Sequence, residues 1–251
     1  MYRIIAILLL LAPLWSNADD RFSIELDDET EVDVVHVGNP EAPRAVIWFL
    51  CNQGEETEEF RVARRMAGRG WQFYFPDMLS AHFLSPTPSN IARIPGEETA
   101  AVVNRLLQRT RAGRVYLVGG GRAALPVLKT LARPSVRREA SGKLVGALLL
   151  TPRITARTPV PGEEPVYDTS VGQSRHPLRV LEGERTPNRW GLPHLGKALG
   201  RSGSPVSSGL IPGVRGFFWL REDRSPEEQQ QLETFDRLIE NNLNKLDEMT
   251  P

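Results

Sequence analysis

An α/β domain with a mainly parallel central sheet flanked by helices, opened by an antiparallel hairpin and lacking a large cap domain, is the fold class that this 251-residue sequence predicts. Three observations predict it. Several short segments are apolar throughout, among them Ala45 to Cys51, Trp71 to Phe75 and Leu144 to Leu150, as expected of strands covered on both faces. They alternate with stretches of helical period, such as Phe60, Val62, Ala63 and Met66, then Val102, Val103, Leu106 and Leu107; strand and helix in alternation build parallel sheets. Ahead of them, "RFSIELDDETEVDVVHVG" alternates apolar and polar residues around the acidic turn Asp27-Asp28-Glu29, the pattern of a hairpin with one buried face.

The elements follow in order. His36 falls within the hairpin alternation and reads as a strand residue, not a ligand. The helix after Cys51 stops at Gly68 and Gly70, and the strand Trp71 to Phe75 is closed by Pro76-Asp77. A long loop, Met78 to Ile94, precedes a helix opened by Pro95, Gly96, Glu97 and Glu98, with its acids at the positive helix end. "VYLVGGGRAALPVLKTLA" reads as a strand from Val115 to Val118, three glycines, and a helix. Leu144 to Leu150, Pro177 to Gly183 and Val214 to Leu220 read as the remaining strands, and Pro226 to Leu246 as a C-terminal helix. Pro152, Pro159, Pro161 and Pro165 make the segment before Pro177 an extended cover, too short for a lid domain.

Composition narrows the partners. Thirty-one basic residues balance 31 acidic ones, so no overall field attracts nucleic acid or an anionic membrane. The first 18 residues carry Arg3, an apolar run of 12 residues from Ile4 to Trp15, and small residues Ser16 and Ala18. That is the arrangement of a cleavable export signal, and the run is short of a membrane span. The expected mature chain is one domain, 19–251, in the periplasm or outside the cell, without a membrane span. The single cysteine, Cys51, makes no intramolecular disulfide; it reads either as a packed strand-end residue or as a nucleophile needing a base.

The glycines admit three readings: a nucleophile elbow of the G-x-S-x-G type, a dinucleotide fingerprint at Gly119, Gly121 and Ala124, or a bare strand-to-helix turn. A fingerprint belongs after the first strand of its unit, with an acid ending the next strand. Here the turn follows the fifth strand, and the next ends in Leu149-Leu150-Thr151-Pro152. No cofactor is expected. The succession hairpin, "AVIWFLCNQG", "MAGRGWQFYFPDML", "VYLVGGGRAA", "VGALLLTP" and "HPLRVLEGE" resembles the alpha/beta-hydrolase superfamily over essentially the whole mature chain. The resemblance implies an oxyanion loop after the Ala45 strand, a nucleophile in the glycine turn, an acid after "PLRVLEG", and a histidine after the last strand. At those places stand Gly121, then Arg185 or Thr186 with Glu184 a weak substitute, and Gly216 in a stretch without histidine. The triad positions Gly121, Arg185 and Gly216 are therefore degenerate, and the expectation is a binding protein on a hydrolase scaffold.

Candidate binding residues lie at the strand ends, where ligands of such sheets sit. Asn52 and Gln53 stand at the oxyanion loop; Gly120, Gly121 and Arg122 place a guanidinium at a helix start suited to an anion; His82 and Trp190 lie on neighbouring loops. The ligand is a small molecule or a partner protein. The competing expectation is an esterase-like hydrolase with Cys51 or Ser80 as nucleophile and His82 as base. No pair of residues has metal-ligand spacing, so no metal is expected.

Overall fold

The computed structural model describes residues 19–26, 30–52, 54–139, 142–160 and 162–249. The export-signal segment 1–18, the acidic turn 27–29, Gln53 and Pro161 lie outside the described residues.

β1 (Asp20–Glu25) and β2 (Glu31–Gly38) form the expected hairpin, with Phe22 opposite Val34 and Ile24 opposite Val32. β3 (Arg44–Phe49), α1 (Glu58–Ala67) and β4 (Trp71–Pro76) follow, and β4 pairs antiparallel with β2 and parallel with β3. The loop after β4 contains two short helices, α2 (Met78–Ala81) and α3 (Pro88–Arg93), capped by the side chains of Asp77 and Thr87. Next come α4 (Gly96–Arg109), β5 (Arg114–Gly120), a single 3-10 turn over Gly121–Ala123, α5 (Ala124–Leu131), α6 (Pro134–Glu139) and β6 (Leu144–Leu150). β7 (Leu178–Gly183), α7 (Leu192–Leu199), β8 (Val206–Ile211), α8 (Pro226–Glu233) and α9 (Phe235–Glu248) complete the chain. The sheet order is β1-β2-β4-β3-β5-β6-β7-β8, parallel from β4 onward.

The central strands show why their sequences are apolar throughout. Val115 and Leu117 of β5 face a core formed with α4 and α5, while Tyr116 and Val118 face a second core formed with α1 and α9. Both faces of the pleat are buried, so alternation disappears from the sequence.

Two expectations are corrected. The last strand is Val206–Ile211, not Val214 to Leu220. "VSSGLI" is an edge strand with one neighbour, its residues partly exposed, so polar residues are tolerated there. Val214, Phe218 and Trp219 are apolar because a loop carries them into the core beside Phe235 and Ile239. The C-terminal helix is also broken, at Thr234, into α8 and α9.

Candidate functional site

The carboxyl end of β5 decides what can happen at the centre of the sheet. Gly119 lets the chain fold back on itself, because a Cβ there would lie 2.5 Å from the Ala123 carbonyl oxygen. Gly121 has φ +53°, a left-handed conformation that costs residues with a Cβ roughly 1–2 kcal/mol. The space a side chain would occupy at this turn is already filled: a Cβ on Gly121 would stand 2.5 Å from Phe217 Cε1 and 3.6 Å from Cys51 Sγ. Trp219 covers the neighbouring position, its ring 3.0 Å from where a Cβ of Gly120 would be. The void left among Cys51, Glu59, Gly120, Phe217 and Trp219 is about 10 Å³, at most the room for one water.

The loop after β8 holds these rings in place. Phe217 itself sits at φ +59°, and the Arg153 guanidinium lies over its other face, 5.1 Å from the ring centroid. Trp219 stacks on Phe235 and donates its indole N–H to buried Glu59 Oε1 at 2.9 Å. Arg215 is clamped by Glu228, whose carboxylate accepts from the Arg215 backbone N–H, Nε and Nη2 at 2.6 to 2.9 Å and from the Ser225 backbone N–H. Those donors pull the Glu228 carboxyl down to about 2. The Gly216 N–H donates to Thr186 Oγ1 at 2.6 Å, and a side chain at residue 216 would face Thr186 and buried Glu182. Of the residues expected at the acid position, Thr186 is the one that meets Gly216; the Arg185 backbone N–H donates to the Val214 carbonyl instead.

Cys51 is packed, not poised. Its Sγ donates to the Gly120 carbonyl at 2.9 Å and accepts from the Ala123 N–H at 3.2 Å, and burial pushes the thiol pKa up. The four histidines are engaged elsewhere. His36 stacks on Tyr74 at 4.8 Å, His82 Nε2 lies 2.6 Å from Glu98 Oε2 on α4, His194 Nδ1 is 3.0 Å from the Tyr167 hydroxyl, and His176 stands in the turn before β7. Ser80 donates its hydroxyl to Asp77 at 2.7 Å and takes the Asp77 cap on its backbone N–H. The side chains of Ser80 and His82 thus have separate partners, Asp77 and Glu98.

The other candidate binding residues divide. Arg122 spends its Nη1 on the carbonyls of Arg153 and Thr155, 3.0 and 2.8 Å away, stitching the proline-rich cover to the glycine turn. An Arg122→Ala variant is expected to lose about 1–2 kcal/mol of stability by chemical denaturation. Trp190 is 77% exposed under the Arg189 guanidinium. Asn52 lines a cavity. The cavity, about 520 Å³, lies between the loops after β3 and β4 and the face of β2; the Asn52 Oδ1 atom is buried without a donor among the described residues. Asp33, Glu55 and Asp77 line the same cavity with Phe49, Phe60 and Phe75. Sequence reasoning missed Phe217 and Asp33: the first was assigned to a strand, and the second is one of several acids in an alternating hairpin.

No protein-family model matches the chain, and no curated protein matches its sequence. Solved structures do match in shape. A Klebsiella pneumoniae protein assigned as a dienelactone hydrolase superposes with a TM-score of 0.62 at 13% identity, over 89% of this chain and 98% of its own. Esterase 2 of Thermogutta terrifontis gives 0.59 at 13% identity, over 89% and 94%. The thioesterase domain of the curacin biosynthetic pathway gives 0.58 at 12%, over 89% and 99%. The chain has the alpha/beta-hydrolase fold. The turn after the fifth strand of this fold carries Gly121 against the ring of Phe217.

Proposed function

We propose that this chain is an exported protein of alpha/beta-hydrolase fold that has given up acyl-transfer chemistry and works by binding a small molecule or a partner protein. The observation that carries the reading is the Phe217 ring over Gly121, 2.5 Å from the place of a nucleophile's Cβ. A tetrahedral intermediate needs both a nucleophile and room at that point. Here the nucleophile is missing and its space is occupied. The triad positions Gly121, Arg185 and Gly216 are read as degenerate, and the Thr186 to Gly216 hydrogen bond stands in the place of an acid–histidine contact. Export is supported by Arg3 and the apolar run Ile4 to Trp15 ahead of small residues. Among the described residues no helix is long and apolar enough to cross a membrane.

The test is direct. Thermogutta esterase 2 is known phosphonylated by sarin and phosphorylated by paraoxon, so it is a positive control for a fluorophosphonate probe. The purified mature chain is expected to take no fluorophosphonate label and to leave p-nitrophenyl butyrate at its buffer rate. Cys51, protonated and packed, is expected to react with iodoacetamide at pH 8 on the order of tenfold or more slower than free cysteine. Saturable labelling of one serine, or of Cys51, with ester turnover abolished in His82→Ala, overturns the reading.

A further inference from the structure

The cavity beside the closed elbow has a chemistry of its own. Its floor is aromatic: Phe60 and Phe75 are buried and stacked at 4.0 Å, with Phe49 next to them. The polar groups around it are almost all acceptors. Asp33 and Asp77 bring carboxylates that receive the hydroxyls of Ser23 and Ser80 and have no cationic partner among the described residues. Glu55 is neutralised by Arg21, the one cation on the wall among the described residues, which reaches in from a largely exposed position. At about 520 Å³ the space falls within the usual range for small-molecule pockets, roughly 300 to 1,000 Å³.

We infer that this cavity binds a small organic cation, a primary or secondary amine on an apolar or aromatic body, with the ammonium toward Asp33 and Asp77 and the body on the phenylalanines. The inference rests on the non-catalytic reading above, in that the ligand lies beside the elbow and meets no nucleophile. Each feature excludes an alternative. A carboxylate ligand would face two unneutralised carboxylates and find only an arginine already held by Glu55. A neutral ligand would cover those carboxylates without a counter-charge, which is costly. A quaternary ammonium has charge and suits aromatic faces, yet it brings no N–H to the carboxylates. An ammonium with N–H groups supplies both the charge and the donors, and charge-assisted bonds are the stronger kind.

The experiment is calorimetric titration of the purified mature chain with four probes of one shape: 2-phenylethylamine, its trimethylammonium analogue, 2-phenylethanol and 3-phenylpropanoate. The amine is expected to saturate one site. The alcohol should bind at least about tenfold more weakly, as for one lost charge-assisted hydrogen bond, the trimethylammonium probe should fall between them, and the carboxylate should give no saturable heat. Asp33→Asn, at an exposed position on β2, should weaken amine binding about tenfold while leaving the thermal midpoint unchanged. Asp77→Asn should do the same with some loss of stability, because Asp77 also caps α2. Equal affinity for alcohol and amine, preference for the carboxylate, absence of saturable amine binding, or an Asp33→Asn variant that binds the amine normally each overturns the assignment. Ester turnover measured on the same sample keeps the two ideas apart. Missing amine binding without turnover removes the cation and leaves the non-catalytic reading, whereas turnover with intact amine binding does the reverse.

Discussion

Gly121→Ser, the substitution that would put a hydroxyl in the turn after β5, is expected to destabilise the protein by about 2–5 kcal/mol and to produce no esterase. Two costs add at residue 121. A Cβ at residue 121 runs into Phe217 Cε1 at 2.5 Å, an overpacking cost of about 1–3 kcal/mol. The φ of +53° adds roughly 1–2 kcal/mol for a residue that is no longer glycine. Denaturant unfolding of the single variant measures the sum. Phe217→Gly removes the ring and suits its own φ of +59°, so in the double variant about 1–2 kcal/mol of the Gly121→Ser cost should return as coupling between contacting sites. Strict additivity of the two variants would mean that the ring does not occupy the nucleophile's place.

Glu228→Ala is the second large effect, because Glu228 anchors the loop that delivers Phe217 and Trp219. Its side chain is 0% exposed and holds Arg215 through three hydrogen bonds. Arg215 is partly exposed and also pairs with Asp223, so the loss is that of the charge-assisted hydrogen bonds, about 1.5–3 kcal/mol. The loop should loosen over the elbow, and iodoacetamide should then reach Cys51 faster than in the wild-type chain. The same anchor gives a pH dependence with a defined sign. Arg215 and the neighbouring N–H donors hold the Glu228 carboxyl at about 2, below its ordinary 4.5. The folded state therefore favours the ionised form, and its stabilisation is complete above pH 4.5 and is lost as pH falls toward about 2. Wild type should lose stability through that window, and Glu228→Gln should lose less. A wild-type profile flat across it would remove Glu228 from the account of the loop.

Much of the scaffold was legible from local pattern. The continuously apolar strands at Arg44–Phe49, Arg114–Gly120 and Leu144–Leu150 and the stripe of α4 announce elements buried on defined faces, and burial leaves its mark on composition wherever both faces of a strand are covered. Val206–Ile211 was missed because an edge strand needs little apolar character, and Val214 to Leu220 was misread because a loop driven into a core looks like a strand. Of the candidate site residues, Asn52 could be found by its place after a strand. Arg122 and Trp190 were plausible by the same argument, but whether a guanidinium meets two carbonyls or a ring meets solvent depends on segments more than 30 residues away, such as Arg153 and Thr155 for Arg122.

By itself the sequence determined two things: the alternation of buried strands and amphipathic helices, and the missing side chain at residue 121. Both are local, since each is a matter of which residue types stand at which spacing. Only the tertiary structure decided that the space above Gly121 is occupied by Phe217, and that Asp33, Asp77 and Asn52, drawn from three different segments, surround one cavity. Those outcomes depend on the path of the loop after β8 and on the order of strands in the sheet, and contacts between distant segments leave no period in the chain that a reader of one sequence can recognise.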